Sequence, residues 1–320
     1  MLTPAEQGIL AKRFSQRHGK ITIHLRLTDD TRSDDFQRYC RNLSQHSAMI
    51  HIKKEKETEN LPPALGIGPS ILLHALPHGT ALSPFIKLLL DSNSLIFETR
   101  ETKEKDFNIP AMLKLYVSPY CPHCPLTMDQ IFSRITAHPS WHLTVIDTDL
   151  FPDLAAFDVI KSVPTLILDD SLRWTGSVDL NEIFKVIRHR DPVKIGAASL
   201  KSMIVNGDAY PLAEMMIRAK KIFPAFIDLL AHGEFSVRLG AMAAAEELAE
   251  RSPAIAGQLV EPLVERFEKE PEAIQGDILY ILGRAGDHRI IPFLKRILSR
   301  PCSGEVQESA EEALDMINAQ

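Results

Sequence analysis

Cysteine is scarce in this sequence, and two further absences narrow the class of protein. Four cysteines in 320 residues are too few for the disulfide framework of a small secreted protein. No hydrophobic run approaches the ~18 residues of a membrane span, and residues 1–20 hold no apolar core of a secretion signal. We therefore expect a cytoplasmic protein with no membrane partner, in a reducing compartment where a close cysteine pair serves chemistry more often than structure.

Excess basic charge and nucleotide-binding motifs are also absent. The net charge is −6, so free nucleic acid is not an expected partner. The acidic surplus lies within residues 211–320, which hold 18 Asp and Glu against 12 Lys and Arg, and it should favour a neutral or basic partner surface. Gly66 and Gly68 have neither a GK[ST] nor a GxGxxG context, and no cofactor is expected.

Two of the four cysteines stand together in the sequence Cys-Pro-His-Cys at residues 121–124. The alternating apolar residues 112–117 before this motif predict a strand, and residues 124–137 predict a helix. A CxxC between a strand and a helix, inside an alternating β/α pattern, is typical of a thioredoxin-like redox site. We therefore expect thiol–disulfide exchange as the chemistry of this site.

Each residue of the motif has an expected role. A helix N-terminus stabilises a thiolate, so Cys121 at the helix start is the expected nucleophile. Cys124, one turn further, is the expected resolving thiol, which closes the disulfide and releases a mixed disulfide. Pro122 in the first helical positions and His123 between the sulfurs are expected to tune the pair, His123 by favouring the thiolate form.

A second motif, Val163-Pro164-Thr165, follows about 40 residues after the cysteine pair, between two strand-like runs. In a thioredoxin-like fold this proline is cis and lies against the disulfide, and the backbone before it pairs with an extended substrate segment. We therefore expect Val163, Pro164 and Thr165 to bind substrate, together with Tyr120 beside the cysteines.

A zinc site is the main alternative reading of the cysteine pair. The other cysteines, Cys40 and Cys302, are solitary, and His123, His138 and His142 lack the spacing of metal ligands. We therefore expect no metal.

The order of strands and helices before residue 107 repeats after it. Strands are predicted at 20–27, 48–52 and 69–73, with helices between and after them. At the position that corresponds to the cysteine motif, the first half has Thr-Asp-Asp-Thr at 28–31, which cannot perform thiol chemistry. The sequence therefore predicts an α/β region of two fused thioredoxin-like folds, residues 1–106 without a CxxC and residues 107–192 with one.

After Pro192 the pattern becomes purely helical. Three units, 30–38 residues apart, share a proline in a first helix, at Pro224, Pro262 and Pro292. A second helix follows in each unit, beginning near Val237, Ile274 and Val306, with apolar residues at +4, +7 and +11. One such helix pair cannot bury its apolar face alone, so repetition predicts a stacked α-solenoid over residues 193–320. The spacing resembles HEAT repeats, although the units are short for that class.

Residues 2–190 resemble a known arrangement, the N-terminal domain of the alkyl hydroperoxide reductase F subunit and the related protein disulfide oxidoreductases. The matching stretches are 68–72, 76–79, 117–125, 155–159, 163–165 and 179–180. Those proteins carry two fused thioredoxin- or glutaredoxin-like folds, of which only the second bears a CxxC. The resemblance implies that Cys121 attacks, that Cys124 resolves and that Pro164 is the cis-proline on the substrate side.

This chain departs from that family in two respects. Its Pro-His dipeptide is the one found in the periplasmic oxidase DsbA, so we expect a potential between about −270 mV for thioredoxin and about −120 mV for DsbA. The flavin subunit continues into a nucleotide-binding reductase, whereas this chain continues into helices. Its electrons must therefore come from, or go to, a separate protein.

The leading hypothesis is a thiol–disulfide oxidoreductase that acts on a disulfide- or dithiol-bearing protein and docks a partner on its repeat region. Two alternatives place the function elsewhere. In one, the thioredoxin-like folds are rigid support for a binding scaffold. In the other, closure of the disulfide alters docking by the repeat region, which makes the protein a redox sensor.

Overall fold

A computed structural model describes residues 2–15, 19–56, 61–94, 110–136, 138, 140–176, 179–189, 191 and 194–319. Its contacts divide the chain into two units. Unit 1 comprises residues 1–170 and 176–180, and unit 2 comprises residues 171–175 and 181–320. The domain boundaries expected at 106/107 and 192/193 lie outside the described residues, and they stay predictions.

The core of unit 1 is a mixed β-sheet. Its strands are β1 (Ile21–Leu27), β2 (Ile50–Lys56), β3 (Ala64–Ile67), β4 (Ile71–His74), β5 (Ala111–Val117), β6 (Trp141–Asp147) and β7 (Thr165–Leu168). They are arranged in the order β2-β1-β3-β4-β6-β5-β7. In each half, a central strand pairs with a parallel neighbour and an antiparallel one: β1 with β2 and β3, and β5 with β6 and β7. Parallel pairing of β4 with β6 joins the halves.

The helices of unit 1 follow from amphipathic stretches between these strands. They are α1 (Pro4–Phe14), α2 (Ser33–His46), α3 (Leu82–Ser94), α4 (Cys124–Ile135) and α5 (Pro152–Phe157), with a short 3₁₀ turn at Gly79–Ala81. Each of the long helices α2 and α4 places apolar side chains in the core, such as Phe36 and Ile131. Helix α1 begins with a capping box between Thr3 and Glu6.

Two sequence predictions for the first half were wrong in detail. Strand β3 was not predicted, although all four of its residues are buried, because a fully buried strand of this length lacks the alternation that marks strands. Strand β2 continues to Lys56, four residues beyond the end predicted for it, through a run of charged residues. At the edge of a sheet, charged side chains can project into water while the backbone still pairs.

Unit 2 contains one strand and a series of helices. Strand β8 (Leu172–Thr175) and helix α6 (Leu180–His189) come first, followed by α7 (Ala197–Val205) and α8 (Ala209–Ala219). The remaining helices are α9 (Pro224–Leu230), α10 (Phe235–Arg251), α11 (Pro253–Ala256), α12 (Val260–Phe267), α13 (Glu272–Ala285), α14 (Ile291–Leu298) and α15 (Gly304–Asn318). Helix α10 packs against α8, α9 and α13, and α13 packs against α15. Among the described helices, none is long and apolar enough to cross a membrane.

The apolar positions predicted for the second helix of each repeat lie in the core of unit 2. In α10 these are Val237, Ala241, Ala244 and Leu248; in α13, Ile274, Ile278 and Ile281; in α15, Val306, Ala310, Ala313 and Ile317. All of them are buried, whereas Ala285, at the last predicted position of α13, is only half-buried. Recurrence of small residues at these positions lets the helices approach closely.

Helices α13 and α15 approach each other closely at Gly283. A Cβ at this position would lie 2.8 Å from the Cα of Ala313 and 3.1 Å from the sulfur of Met316. We expect Gly283→Ala to lower the free energy of unfolding by about 1–3 kcal/mol, since the backbone of α15 must move away. Urea denaturation measures this loss. The control is Gly304→Ala, whose Cβ would meet open space; equal stability of both variants would contradict the close packing.

Candidate functional site

The cysteine motif lies between the end of β5 and the start of α4. Helix α4 begins at Cys124, with His123 as its N-cap residue and Pro125 in the first turn. Cys121 and Pro122 therefore lie in the turn that precedes the helix. The expected placement of Cys121 at the helix start, with Pro122 already helical, was three residues too early. A cysteine in this turn still comes directly before the helix terminus, whose first N–H groups have no partner within the helix.

The two cysteines differ in their access to solvent. All four cysteines of the chain are free thiols, and Cys121 is half-buried whereas Cys124 is 0% exposed. Burial raises the pKa of the Cys124 thiol, a hydrogen bond from the backbone of Ser118 opposes this, and a hydrogen bond with Cys121 adds to it. The pair thus consists of an accessible sulfur and, behind it, a protonated thiol in hydrogen-bonding contact.

Cys40 shows what burial does to a cysteine outside the site. It lies on α2, and burial raises the pKa of its thiol to about 12. A thiol that stays protonated and is shielded from solvent is a poor nucleophile. Cys40 is therefore suited to packing rather than to thiol chemistry.

The Val163–Pro164 peptide bond is cis, as expected from the sequence. The Cys121 thiol donates a hydrogen bond to the Val163 carbonyl oxygen, with 3.5 Å between Sγ and oxygen. The Pro164 carbonyl accepts the Gly176 N–H at 2.8 Å. The proline loop and the cysteine turn, about 40 residues apart in the sequence, therefore meet at Cys121.

The other two residues expected to bind substrate lie in different environments. Tyr120 is 78% exposed beside Cys121, so its ring is available to a partner. Thr165 is 1% exposed, and its hydroxyl donates to the Ser162 carbonyl. Because its side chain is enclosed, Thr165 could contribute to substrate binding only through its backbone.

A buried carboxylate lies next to the cysteine turn, and sequence reasoning missed it. Asp147 ends β6, opposite Val117 in the register, and is 6% exposed. Burial raises the pKa of Asp147, although hydrogen bonds from the Asp149 and Leu150 N–H groups oppose the shift. Two residues further along the chain, Asp149 accepts a hydrogen bond from the Ser118 hydroxyl at 2.6 Å. An aspartate at the end of a strand gives no sequence signal of this proximity.

The first half, which has no CxxC, also reaches the site, through the turn at His78, Gly79 and Thr80. The His78 ring stands edge-on to Tyr120, with 6.2 Å between the ring centroids. The Thr80 hydroxyl donates to the carbonyl of Pro119. Sequence analysis placed residues 76–79 among the stretches that resemble the alkyl hydroperoxide reductase F subunit, but it did not predict this contact, because no periodicity links residues in separate loops.

Glu6, on α1, holds this turn from the other side. Its carboxylate accepts the Gly79 N–H at 2.6 Å and the Thr3 N–H at 2.7 Å. Burial alone would raise the pKa of Glu6, but the hydrogen bonds from Thr3 and Gly79 outweigh it, and the pKa is lowered. Glu6 is therefore held as an anion between the helix N-terminus and the turn.

In the first half, the position of the cysteine motif is occupied by a salt-bridge cluster. Arg32 pairs with Asp30 and reaches Asp153 of the second half at 2.9 Å. Its guanidinium also donates to the Leu150 carbonyl at 3.0 Å. These groups connect the two halves of the sheet, and they contain no thiol.

Metal binding finds no support at the cysteine pair. In the part of the chain that the structure describes, no three His, Cys, Asp or Glu side chains are grouped so that they could hold a metal ion.

Comparison with known proteins agrees with this geometry. The thioredoxin domain family model matches residues 112–188, which include the cysteine motif and the cis-proline. A comparison with curated proteins gives no match.

Several solved structures are similar to the α/β part of the chain. The NTD_N/C domain of alkylhydroperoxide reductase AhpF from Enterococcus faecalis is 18% identical, with a TM-score of 0.49, over 58% of this chain and 100% of that one. A mutant of the AhpF subunit from the same organism is 18% identical, with a TM-score of 0.48, over 58% of this chain and 99% of that one. A protein disulfide oxidoreductase from Aeropyrum pernix is 14% identical, with a TM-score of 0.49, over 59% and 93%. The family match and the strand order identify a thioredoxin-like α/β fold, which this chain combines with a helical C-terminal region.

Proposed function

We propose that this protein is a thiol–disulfide oxidoreductase that exchanges its Cys121–Cys124 pair with a disulfide of another protein. The observation that carries the proposal is the position of Cys121. Its sulfur is half-exposed and in contact with the carbonyl before a cis-proline, and a fully buried second thiol lies behind it. An attacking thiol needs access, and a resolving thiol needs proximity and protection from competing reactions.

The exchange has two steps that balance in atoms and electrons. The Cys121 thiolate attacks one sulfur of the client disulfide, so a Cys121–client bond forms and the other client cysteine leaves as a thiolate. Cys124 then loses its proton and attacks the Cys121 sulfur, which expels the second client thiolate. The client gains two electrons, and the protein is left with a Cys121–Cys124 disulfide. A separate dithiol protein must reduce this disulfide, and the reverse sequence would oxidise a client dithiol.

The proposal includes a tandem of two thioredoxin-like folds. In support, β1 with its neighbours repeats the pairing pattern of β5 with its neighbours. The first copy lacks a CxxC, and Tyr120, Val163 and Pro164 lie beside the reactive cysteine of the second. We assign to these three residues the contact with an extended client segment, which the Val163 backbone would bind. Pro122 and His123 are proposed to tune the pair.

The helical region is proposed to be a short HEAT-like array that docks a client or an electron-transfer partner. The buried apolar positions of α10, α13 and α15 recur at the same spacing, which supports an array of repeats. Its surplus of acidic residues suits a neutral or basic partner surface. The proposed location is the cytoplasm, where a dithiol of this kind stays reduced between turnovers.

Reduction of insulin disulfides by dithiothreitol tests the proposed activity. We expect the wild-type protein to accelerate the reaction and Cys121→Ser to fall to the uncatalysed rate, since no thiolate remains at the attacking position. Cys302→Ser is the matched control, because it removes another half-buried cysteine, which lies between α14 and α15. This variant should keep full activity. Equal acceleration by wild type and Cys121→Ser would rule the proposal out and favour the binding scaffold.

A further inference from the structure

The turn at residues 78–80 of the first half contacts the loop at residues 118–123, which carries Cys121 and which we name the redox loop. The Thr80 hydroxyl lies 2.8 Å from the Pro119 carbonyl oxygen and 3.3 Å from the Cys121 carbonyl oxygen. The Thr80 N–H also points at the Pro119 carbonyl, at 3.4 Å. One residue thus bonds to two carbonyls that flank Tyr120.

Gly79 brings this turn close to the redox loop. Its φ is +56°, a conformation that favours glycine, and a Cβ there would lie 3.2 Å from the Pro119 carbonyl oxygen. Its N–H donates to Glu6, which fixes the turn to the start of α1. The turn is therefore held from behind while Thr80 faces the redox loop.

Within the redox loop, the Tyr120 N–H donates to the Ser118 hydroxyl at 3.2 Å. Cys121 precedes α4, and the hydrogen bond from its N–H to the Ser118 carbonyl, at 3.2 Å, closes the turn. The direction of the Cys121 side chain depends on the orientation of the peptides on both sides of it. Thr80 bonds to the carbonyl of Cys121 itself and to that of Pro119.

We propose that Thr80, together with Gly79, positions the redox loop so that Cys121 is held within reach of Cys124. The half without a CxxC is then a working part of the redox site. This inference rests on the proposed function, since it assigns a positioning residue to the same cysteine pair. Holding two reacting groups in a fixed geometry raises their effective concentration, and closure of the disulfide gains from it directly.

The rate at which the Cys121–Cys124 disulfide closes in excess oxidised glutathione tests the inference without any protein client. Cys121 attacks glutathione disulfide and releases one glutathione thiolate; Cys124 then attacks Cys121 and releases the second. Two electrons pass to glutathione, and the Cys124 proton reaches the second thiolate through water. At saturating oxidised glutathione the second step limits the rate, and acid quenching with mass spectrometry counts the mixed and closed disulfides.

The first comparison is between Thr80→Val and Thr80→Ser. Valine keeps the shape but loses the hydroxyl, so closure should slow by about fivefold, the factor that corresponds to one net hydrogen bond. Serine keeps the donor and should close at nearly the wild-type rate. The inference is overturned if Thr80→Val closes as fast as wild type, or if Thr80→Ser is equally slow.

The second comparison separates backbone strain from contact with the redox loop. Gly79→Ala and Gly68→Ala meet similar strain, at φ values of +56° and +58°, but a Cβ at Gly68 would meet nothing within 4 Å. Both variants should lose similar thermal stability, and only Gly79→Ala should slow closure. Equal closure rates in the two variants would overturn the inference. If the wild-type protein closes its disulfide but does not reduce insulin, the proposed activity on protein disulfides is refuted. The effect of Thr80 on the rate of closure is still measured in that case.

Discussion

Cys124→Ser is expected to leave the protein covalently joined to a disulfide-bonded client, whereas the wild type releases it. With serine at position 124, Cys121 can still attack, but no second thiol follows to expel the captured sulfur. The expected change is from a short-lived intermediate to a stable adduct.

Non-reducing gel electrophoresis and mass spectrometry with insulin as the client measure this adduct. Wild type should show almost none, and Cys124→Ser should show a band of the combined mass that disappears with dithiothreitol. The double variant Cys121→Ser/Cys124→Ser is the control that must show no adduct. Cys302→Ser/Cys124→Ser should trap as well as Cys124→Ser does. An adduct that survives in the variant without Cys121 would mean that another cysteine reacts, and the assignment of the nucleophile would be wrong.

Trp174→Ala is expected to cost unit 2 about 3–5 kcal/mol of unfolding free energy, as is usual for removal of a large buried aromatic side chain. Trp174, on β8, is 0% exposed, and it is the largest of the fully buried side chains. Its indole N–H donates to the Glu182 carboxylate at 2.7 Å. The substitution therefore opens a cavity and removes one of the donors to that carboxylate.

Urea denaturation, monitored by the circular dichroism signal of the helices, measures the loss of unfolding free energy. Trp174→Phe is the graded control: it retains most of the volume and loses only a hydrogen bond to a charged acceptor, a cost of about 1.5–3 kcal/mol. The order of stability should be wild type, then phenylalanine, then alanine. A Trp174→Ala protein as stable as wild type would contradict the burial of this ring.

The arrangement of the site was predictable because it depends on short motifs. The spacing of Cys121 and Cys124, and the Val163–Pro164 pair about 40 residues on, sufficed to predict the contact that the structure shows at the Cys121 sulfur. The buried faces of α10, α13 and α15 were predictable for a related reason, since a helical period leaves a regular mark in the sequence.

Contacts between loops were not predictable in this way. The hydrogen bonds of Thr80 join residues 39 and 41 apart in two turns, and the Arg32–Asp153 pair joins residues 121 apart. No period and no local propensity connects such residues, because it is the pairing of β4 with β6 that brings the two halves together. Asp147 was missed because its burial depends on the register of β6 with β5 rather than on its own neighbours.

Glu182 lies inside the stretch that matches the thioredoxin family model, and its side chain also holds the start of α7 in the helical region. Its carboxylate accepts hydrogen bonds from Trp174, from the Gly196 N–H at 3.1 Å and from the Ser199 hydroxyl at 3.0 Å, so one side chain ties β8 and α6 to the first turn of α7. A recombination breakpoint at residues 192 and 193 would separate this acid from two of its three donors. The helical region is thus not an interchangeable cassette: a chimera that grafts it onto another carrier would have to take residues 171–175 and 181–189 along with it.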